Sequence, residues 1–369
     1  MFTTVWTASP QLPSEGFTPN WSREGFWRQS LRQVVRLSGG GERVRIRLSH
    51  AYGTSPVRVA AASAGRAGEP GSLRRLTFAG AAGAEIPARG ELVSDPAELA
   101  VGAGESLAVT LYFDGATGPA TFHAQAFTRS YRGEGDLTAA ADGFDAATES
   151  WYFLTAVETD AGRRDAVALF GDSITDGFGS TPGADRRWSD ALAARTGRPV
   201  LNAGIGGNLL LNDSAWYGEK GLNRLSRDVL AHPGVDTLVV LLGLNDIGFS
   251  ETDEQPTYKP APVVEAAELI AGHRELIRQA RGAGLRVIGA TLLPFGGSDH
   301  WGEHAAKVSH ELNEWIRGSG EYDAVVDLDR ALADPQDPGR LRPAYDSGDH
   351  LHPNDAGYAV MAEAVADVL

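Results

Sequence analysis

The stretch AVALFGDSIT, residues 166–175, runs apolar for five residues and then breaks into Gly171-Asp172-Ser173. A short, continuous apolar run that ends on a turn signal reads as a strand buried on both faces, the kind found in parallel sheets covered by helices. Ligands of such sheets bind beyond the carboxyl ends of the strands. Ser173 therefore stands at the mouth of a candidate site. Gly171 permits a sharp turn, and the helix start after it offers backbone N–H groups to a developing negative charge. A serine so placed is a candidate nucleophile, provided that a base reaches it.

Downstream of residue 165 the same pattern repeats. Further apolar strands are PVLNA (199–203), DTLVVLL (236–242), LRVIGATLL (285–293) and AVVDL (324–328), with amphipathic segments between them. In VVEAAELIAGHRELIRQARGAG (263–284), Leu269, Ile270, His273, Leu276 and Ile277 share one helical face, and Gly282 and Gly284 supply the stop. Five strands separated by helices imply a parallel sheet with helices on both faces. Upstream, from about residue 30 to 155, the chain has the period of two instead. VRIRLSH, VRVAAAS, LAVTLYF and TFHAQAF are short segments broken by Gly and Pro, and in RVRIRLS the apolar Val44, Ile46 and Leu48 alternate with Arg43, Arg45 and Arg47. This pattern predicts an antiparallel β-sandwich. The expected organisation is a sandwich over residues 1–160 and an α/β domain over 161–369, with the boundary near ETDAGRRD (158–165).

The candidate base comes from SGDHLHPNDAGY (347–358). Asp349 and His352 stand three residues apart, just before a helix that Pro353 can open. The turn can set a carboxylate against one imidazole nitrogen while the other faces the serine, which is the logic of a Ser-His-Asp triad. Asp346 is nearby and competes with Asp349 for that place or for a capping role. Oxyanion donors are expected at two further strand ends: Gly207 in PVLNAGIGGN and Asn245 in VVLLGLND, together with the N–H of Ser173. Asp172 reads either as a loop-holding residue or as part of the pocket, with the first preferred. Candidate pocket residues are Trp188, Asn208, Leu209, Phe295, His300, Trp301 and His350. The pair His350 and His352 beside Asp349 is a poor metal set, because three ligands packed into four residues seldom reach one ion and no second His or Cys cluster completes it. No metal or organic cofactor is expected.

These four blocks, GDSIT, GIGGN, GLND and DHLH, resemble those of the SGNH (GDSL-type) serine hydrolases, in family order and each after a predicted strand. The resemblance extends to SITDGFGSTPGADRRWSDALA and YDSGDHLHPNDAGYAVMAEAV. LSHAYGTSPVRVAAAS is similar to the β-sandwich that precedes the hydrolase domain in one bacterial branch. The resemblance implies a flavodoxin-like three-layer α/β/α fold and ester hydrolysis through an acyl-serine. It carries over Ser173 as nucleophile, His352 as base, Asp349 as its orienter, and Gly207 and Asn245 as oxyanion donors. Isoleucine replaces the leucine of the short family name and Gly206 stands where serine is frequent, but neither change touches a reacting atom.

Composition narrows the partners. The chain has 369 residues, 42% hydrophobic and 22% charged, with a net charge of −15. Residues 1–160 contribute −3 and the remainder −12. An acidic field repels phosphate backbones, so nucleic acid is not an expected partner. No apolar run approaches the roughly 20 residues of a membrane span. The absence of cysteine excludes disulfides and thiolate chemistry. MFTTVWTASP lacks the pattern of a secretory signal, which predicts a cytoplasmic chain as written, or a secreted one if Met1 replaces a removed signal. The expected substrate is a small-molecule or glycan ester with a short acyl or acetyl group, since no long apolar lid is visible. Alternatives are a lysophospholipase or lipase of the same family, and a carbohydrate-binding protein with a retired site. For Trp6, Trp21, Trp27 and Trp151, packing between the domains is favoured over a sugar-stacking surface. Oligomeric state is not legible.

Overall fold

The computed structural model describes residues 1–252 and 255–369. The chain divides into two compact units, one of Met1–Ala166 with Gly197–Leu201, the other of Val167–Thr196 with Asn202–Leu369.

The first unit is an antiparallel β-sandwich. One sheet aligns Thr3–Thr7, Leu154–Thr159, Gly41–Ser49 and Glu91–Val93, with Ala97–Val101 also pairing on Gly41–Ser49. The other runs Ala146–Thr148, Ser130–Glu134, Trp27–Arg36, Ser106–Ala116, Ala61–Arg66 and Arg74–Leu76. The alternation in RVRIRLS decides its faces: Val44, Ile46 and Leu48 are fully buried, while Arg45 and Arg47 reach across to Glu158 on the neighbouring strand. The segment TFHAQAF departs from the expected strand. Only Phe122–His123 pairs, with Trp151–Tyr152, and Thr121 to Ala126 are all buried, so the apparent alternation reflects no division between core and solvent. VRVAAAS likewise splits at Ala60 into strands that belong to different sheets. Trp6, Trp21 and Trp151 are core residues of this unit, with Trp6 edge-on to Trp151 at 4.9 Å and Trp21 stacked on Tyr152 at 5.7 Å. Their amphipathic rings fill the sandwich core rather than forming an exposed sugar platform. Trp27 alone of the four is exposed.

The second unit is built on a five-stranded parallel sheet. Its strands are β1 (Ala166–Gly171), β2 (Val200–Gly204), β3 (Val235–Leu241), β4 (Arg286–Ala290) and β5 (Ala324–Val326), in the order β2-β1-β3-β4-β5. This is the flavodoxin-like order, with its switch point between β1 and β3. β1 is buried along its whole length, as its unbroken apolar run requires. Six helices matter to the site: α1 (Ser173–Asp176), α2 (Trp188–Thr196), α3 (Leu244–Gly248), α4 (Ala266–Gly282), α5 (Glu303–Gly318) and α6 (Asp355–Ala366). α4 starts at a capping box between Glu265 and Glu268 and buries Leu269, Leu276 and Ile277, each worth about 1.5–3 kcal/mol on full burial. His273 on the same face is a core residue. It bonds Tyr322 Oη at 2.5 Å and the Leu242 carbonyl at 3.1 Å, and burial pushes its pKa down to about 4. No helix among the described residues is long and apolar enough to cross a membrane.

Candidate active site

β1 delivers the serine. Gly171 is needed there because a Cβ would lie 2.1 Å from Thr175 Oγ1 and 2.4 Å from the Leu241 carbonyl, so close approach rather than an unusual turn demands glycine. Asp172 caps α1, its side chain accepting from the Ile174 N–H at 3.1 Å. Buried completely, its carboxyl is pushed up to about 7, with the charge of Asp246 adding to the shift. It holds the turn. Ser173 itself remains partly exposed.

The loop 346–352 brings the imidazole. Ser173 Oγ lies 2.8 Å from His352 Nε2, and His352 Nδ1 lies 2.6 Å from Asp349 Oδ2. The other carboxylate oxygen, Oδ1, accepts from the backbone N–H groups of Leu351 and His352 and from the Ser347 hydroxyl. Partial burial pushes Asp349 upward, but the His352 bond and charge and the two N–H donors outweigh it, leaving the carboxyl well below its usual range. Asp349 therefore stays ionised against the ring. Asp346 instead serves His350, accepting from its Nδ1 at 2.6 Å. Neither aspartate caps α6, since Asn354 does so through Ala356 and Gly357, and Pro353 precedes the cap instead of opening the helix. Phe178, which the sequence did not single out, packs its ring 4.4 Å from that of His352.

The second strand end forms a pinned loop. Gly207 adopts φ +72°, and a Cβ there would meet the Tyr217 ring at 2.3 Å. Four side chains fix the segment around it. Asp176 accepts from the Gly206 N–H, Asp246 accepts from Leu210 and Leu211, Arg224 donates to Asn208 Oδ1, and Asn245 Nδ2 donates to the Asn208 carbonyl at 3.0 Å. Arg224 also donates to the carbonyls of Gly171 and Ala203, tying the ends of β1 and β2 together. Burial pushes the Asp246 carboxyl up to about 7, against the pull of the N–H donors. Sequence reading missed Asp176, Asp246 and Arg224. The first two sit inside or beside the motif blocks, which was a usable signal, but nothing local marks Arg224.

The expected pocket set does not assemble as such. Trp188 is wholly buried at the start of α2, in the core of the unit. Asn208 is also wholly buried, its amide spent on the Tyr217 and Glu219 carbonyls, and Phe295 is buried. Large apolar rings and a self-satisfied amide win more from core packing than from a solvent-facing wall. Leu209 packs with Tyr217 and Phe249 in a small cluster, and His300 is buried against the Asn245 amide. Trp301 and His350 are exposed. Among the described residues no group of three or more His, Cys, Asp or Glu could hold a metal ion. His350 and His352 each pair with an aspartate of their own, Asp346 and Asp349.

A model of the GDSL-like lipase/acylhydrolase family matches residues 169–360, more than half of the chain and the span that holds all four motif blocks. The chain belongs to that family. With membership comes the reaction class, hydrolysis of carboxylic esters. Among solved structures, similar chains include a GDSL-like lipase from Bacteroides thetaiotaomicron, at 19% identity and TM-score 0.42 over 56% of this chain and 87% of that one. Others are an acetylxylan esterase from Geobacillus stearothermophilus (21%, 0.42, 56% and 94%) and an aryl esterase from M. smegmatis (16%, 0.42, 55% and 97%). No curated protein matches the chain.

Proposed function

We propose that this GDSL-family hydrolase cleaves short-chain acyl or acetyl esters through an acyl-serine formed on Ser173. The observation that carries the reading is the continuous chain from Ser173 Oγ through both nitrogens of His352 to Asp349, at 2.8 and 2.6 Å. The carboxylate fixes the ring with Nε2 as acceptor, so that nitrogen takes the hydroxyl proton as Oγ bonds to the ester carbon. The carbonyl oxygen becomes an oxyanion held by the N–H groups of Ser173 and Gly207 and by Asn245 Nδ2, which has a second N–H beyond the one given to Asn208. Collapse breaks the ester bond, and the proton on Nε2 leaves with the alcohol. Water then repeats the attack on the acyl-enzyme with His352 again as base, releasing the acid and restoring Ser173.

Two features favour a short acyl group. The Tyr217 ring fills the space beside Gly207, and Leu209 is locked with Tyr217 and Phe249. The exposed Trp301, next in sequence to His300, offers a flat face on which the sugar of a glycan ester would stack. The sandwich, residues 1–160 by our reading, serves as an accessory domain. Fluorophosphonate labelling of Ser173 followed by a p-nitrophenyl ester series tests the reading. Expected are labelling that Ser173→Ala abolishes and a preference for acetate to butyrate; a preference for chains beyond about eight carbons would refute the short-acyl assignment.

A further inference from the structure

We infer that Asp299 and His300 are positioning residues that hold the side-chain amide of Asn245 in the one orientation in which it serves the oxyanion. The inference rests on the proposed role of Asn245 as a donor. Its basis is a chain of partners whose donor and acceptor roles are forced. The Asn208 carbonyl can only accept, so the Asn245 atom 3.0 Å from it is Nδ2 and the other is Oδ1. His300 Nε2 lies 3.0 Å from that Oδ1, and His300 Nδ1 lies 2.7 Å from Asp299 Oδ1. Both ring nitrogens thus face oxygens, and Nε2, as the donor to Oδ1, holds the amide this way round. Tyr258 extends the chain outward by donating to Asp299 Oδ2 at 3.2 Å.

The setting suits a fixed device. His300 is 1% exposed, seated against Gly248, whose absent Cβ would fall 2.3 Å from the ring, and edge-on to Phe249 and Tyr258 at 5.5 Å each. Asp299 is half exposed and held below the usual carboxylate range, first by its bond to His300. A donor on Oδ1 draws electron density from the amide and strengthens the N–H groups on the far side. It also blocks the amide flip, because a flipped Asn245 would set Nδ2 against the ring proton and Oδ1 against the Asn208 carbonyl. Neither residue bonds the seryl or imidazole groups that exchange the proton.

The test is a double-mutant cycle on p-nitrophenyl acetate. His300→Ala is expected to lower kcat by about 10- to 100-fold, less than loss of the donor itself, with KM within about twofold. In an Asn245→Ala background the same change should alter kcat by less than about twofold. His300→Gln, whose amide can donate to Oδ1, should recover part of the loss. Asp299→Ala, at an exposed position that leaves the core intact, should give a smaller kcat fall at unchanged melting temperature. Equal losses in both backgrounds, or full turnover in folded His300→Ala and Asp299→Ala, would overturn the inference. If Asn245→Ala itself kept full turnover, the donor role would fall and the inference with it; if wild-type Ser173 resisted labelling, the hydrolase reading would fail separately.

Discussion

The second unit carries one chemical unit three times, a carboxylate on the Nδ1 of an imidazole, and two of its copies, Asp349–His352 and Asp299–His300, meet a side chain on the far nitrogen. What differs is the group on Nε2. At His352 it is the Ser173 hydroxyl, which can give a proton as well as accept one; at His300 it is the Asn245 amide oxygen, which only accepts. The first pair is therefore placed to pass a proton, and the second to orient an amide. In the third pair, Asp346–His350, the imidazole is half exposed and the carboxylate mostly buried. The partner, not the pair, decides the role.

Substitutions test that ordering. Removing the first pair's carboxylate with Asp349→Ala should cost the most, about 10⁴-fold in kcat, by steady-state kinetics on p-nitrophenyl acetate, comparable to much of the loss in Ser173→Ala. Asn245→Ala, which removes the group the second pair serves, should cost about 100- to 1000-fold, and an effect below about threefold would dissolve the contrast. His350→Asn, which suits the left-handed φ of +63° there, should change kcat by less than about threefold. A larger loss would make the third pair a participant.

The smallest effect concerns pH. Asp172 and Asp246 have folded pKa values raised to about 7 from an unfolded value near 3.8. The folded state then binds more protons than the unfolded one between about pH 4 and 7, so their contribution makes stability fall as pH rises through that window. Asp349 shifts the other way, and its contribution is complete above the unfolded value and lost only in more acidic solution. Calorimetry between pH 5 and 8 should show the melting temperature declining, with a flatter profile in Asp172→Asn. An identical slope in that variant would remove Asp172 as a source of the decline.

Much of this was legible in the sequence, for a physical reason. The GDSIT, GIGGN and GLND blocks lie at the ends of β1, β2 and β3, and an unbroken apolar run such as AVALF marks both the strand and its end. DHLH instead follows the hairpin strand Asp337–Leu341, and its loop still sets His352 2.8 Å from Ser173 with Asp349 behind it. The pocket was not legible, because burial of Trp188, Asn208 and Phe295 is set by packing from distant elements, to which local spacing is blind. TFHAQAF failed for the opposite reason, since alternation of residue types carries information only where one face meets water. The support of Asn245 by His300 was hidden in the same way: the motif names the amide, while its partner lies 55 positions further on.

Arg224 gives the site a design rule. Its guanidinium spreads over the Gly171 and Ala203 carbonyls, Asn208 Oδ1 and Asp228, with its plane 4.1 Å from the Phe170 ring. A lysine would keep the charge and lose the fork that ties the Gly171 and Ala203 carbonyls to Asn208. The arginine is thus a keystone. An engineer who wishes to retune this hydrolase should leave position 224 alone.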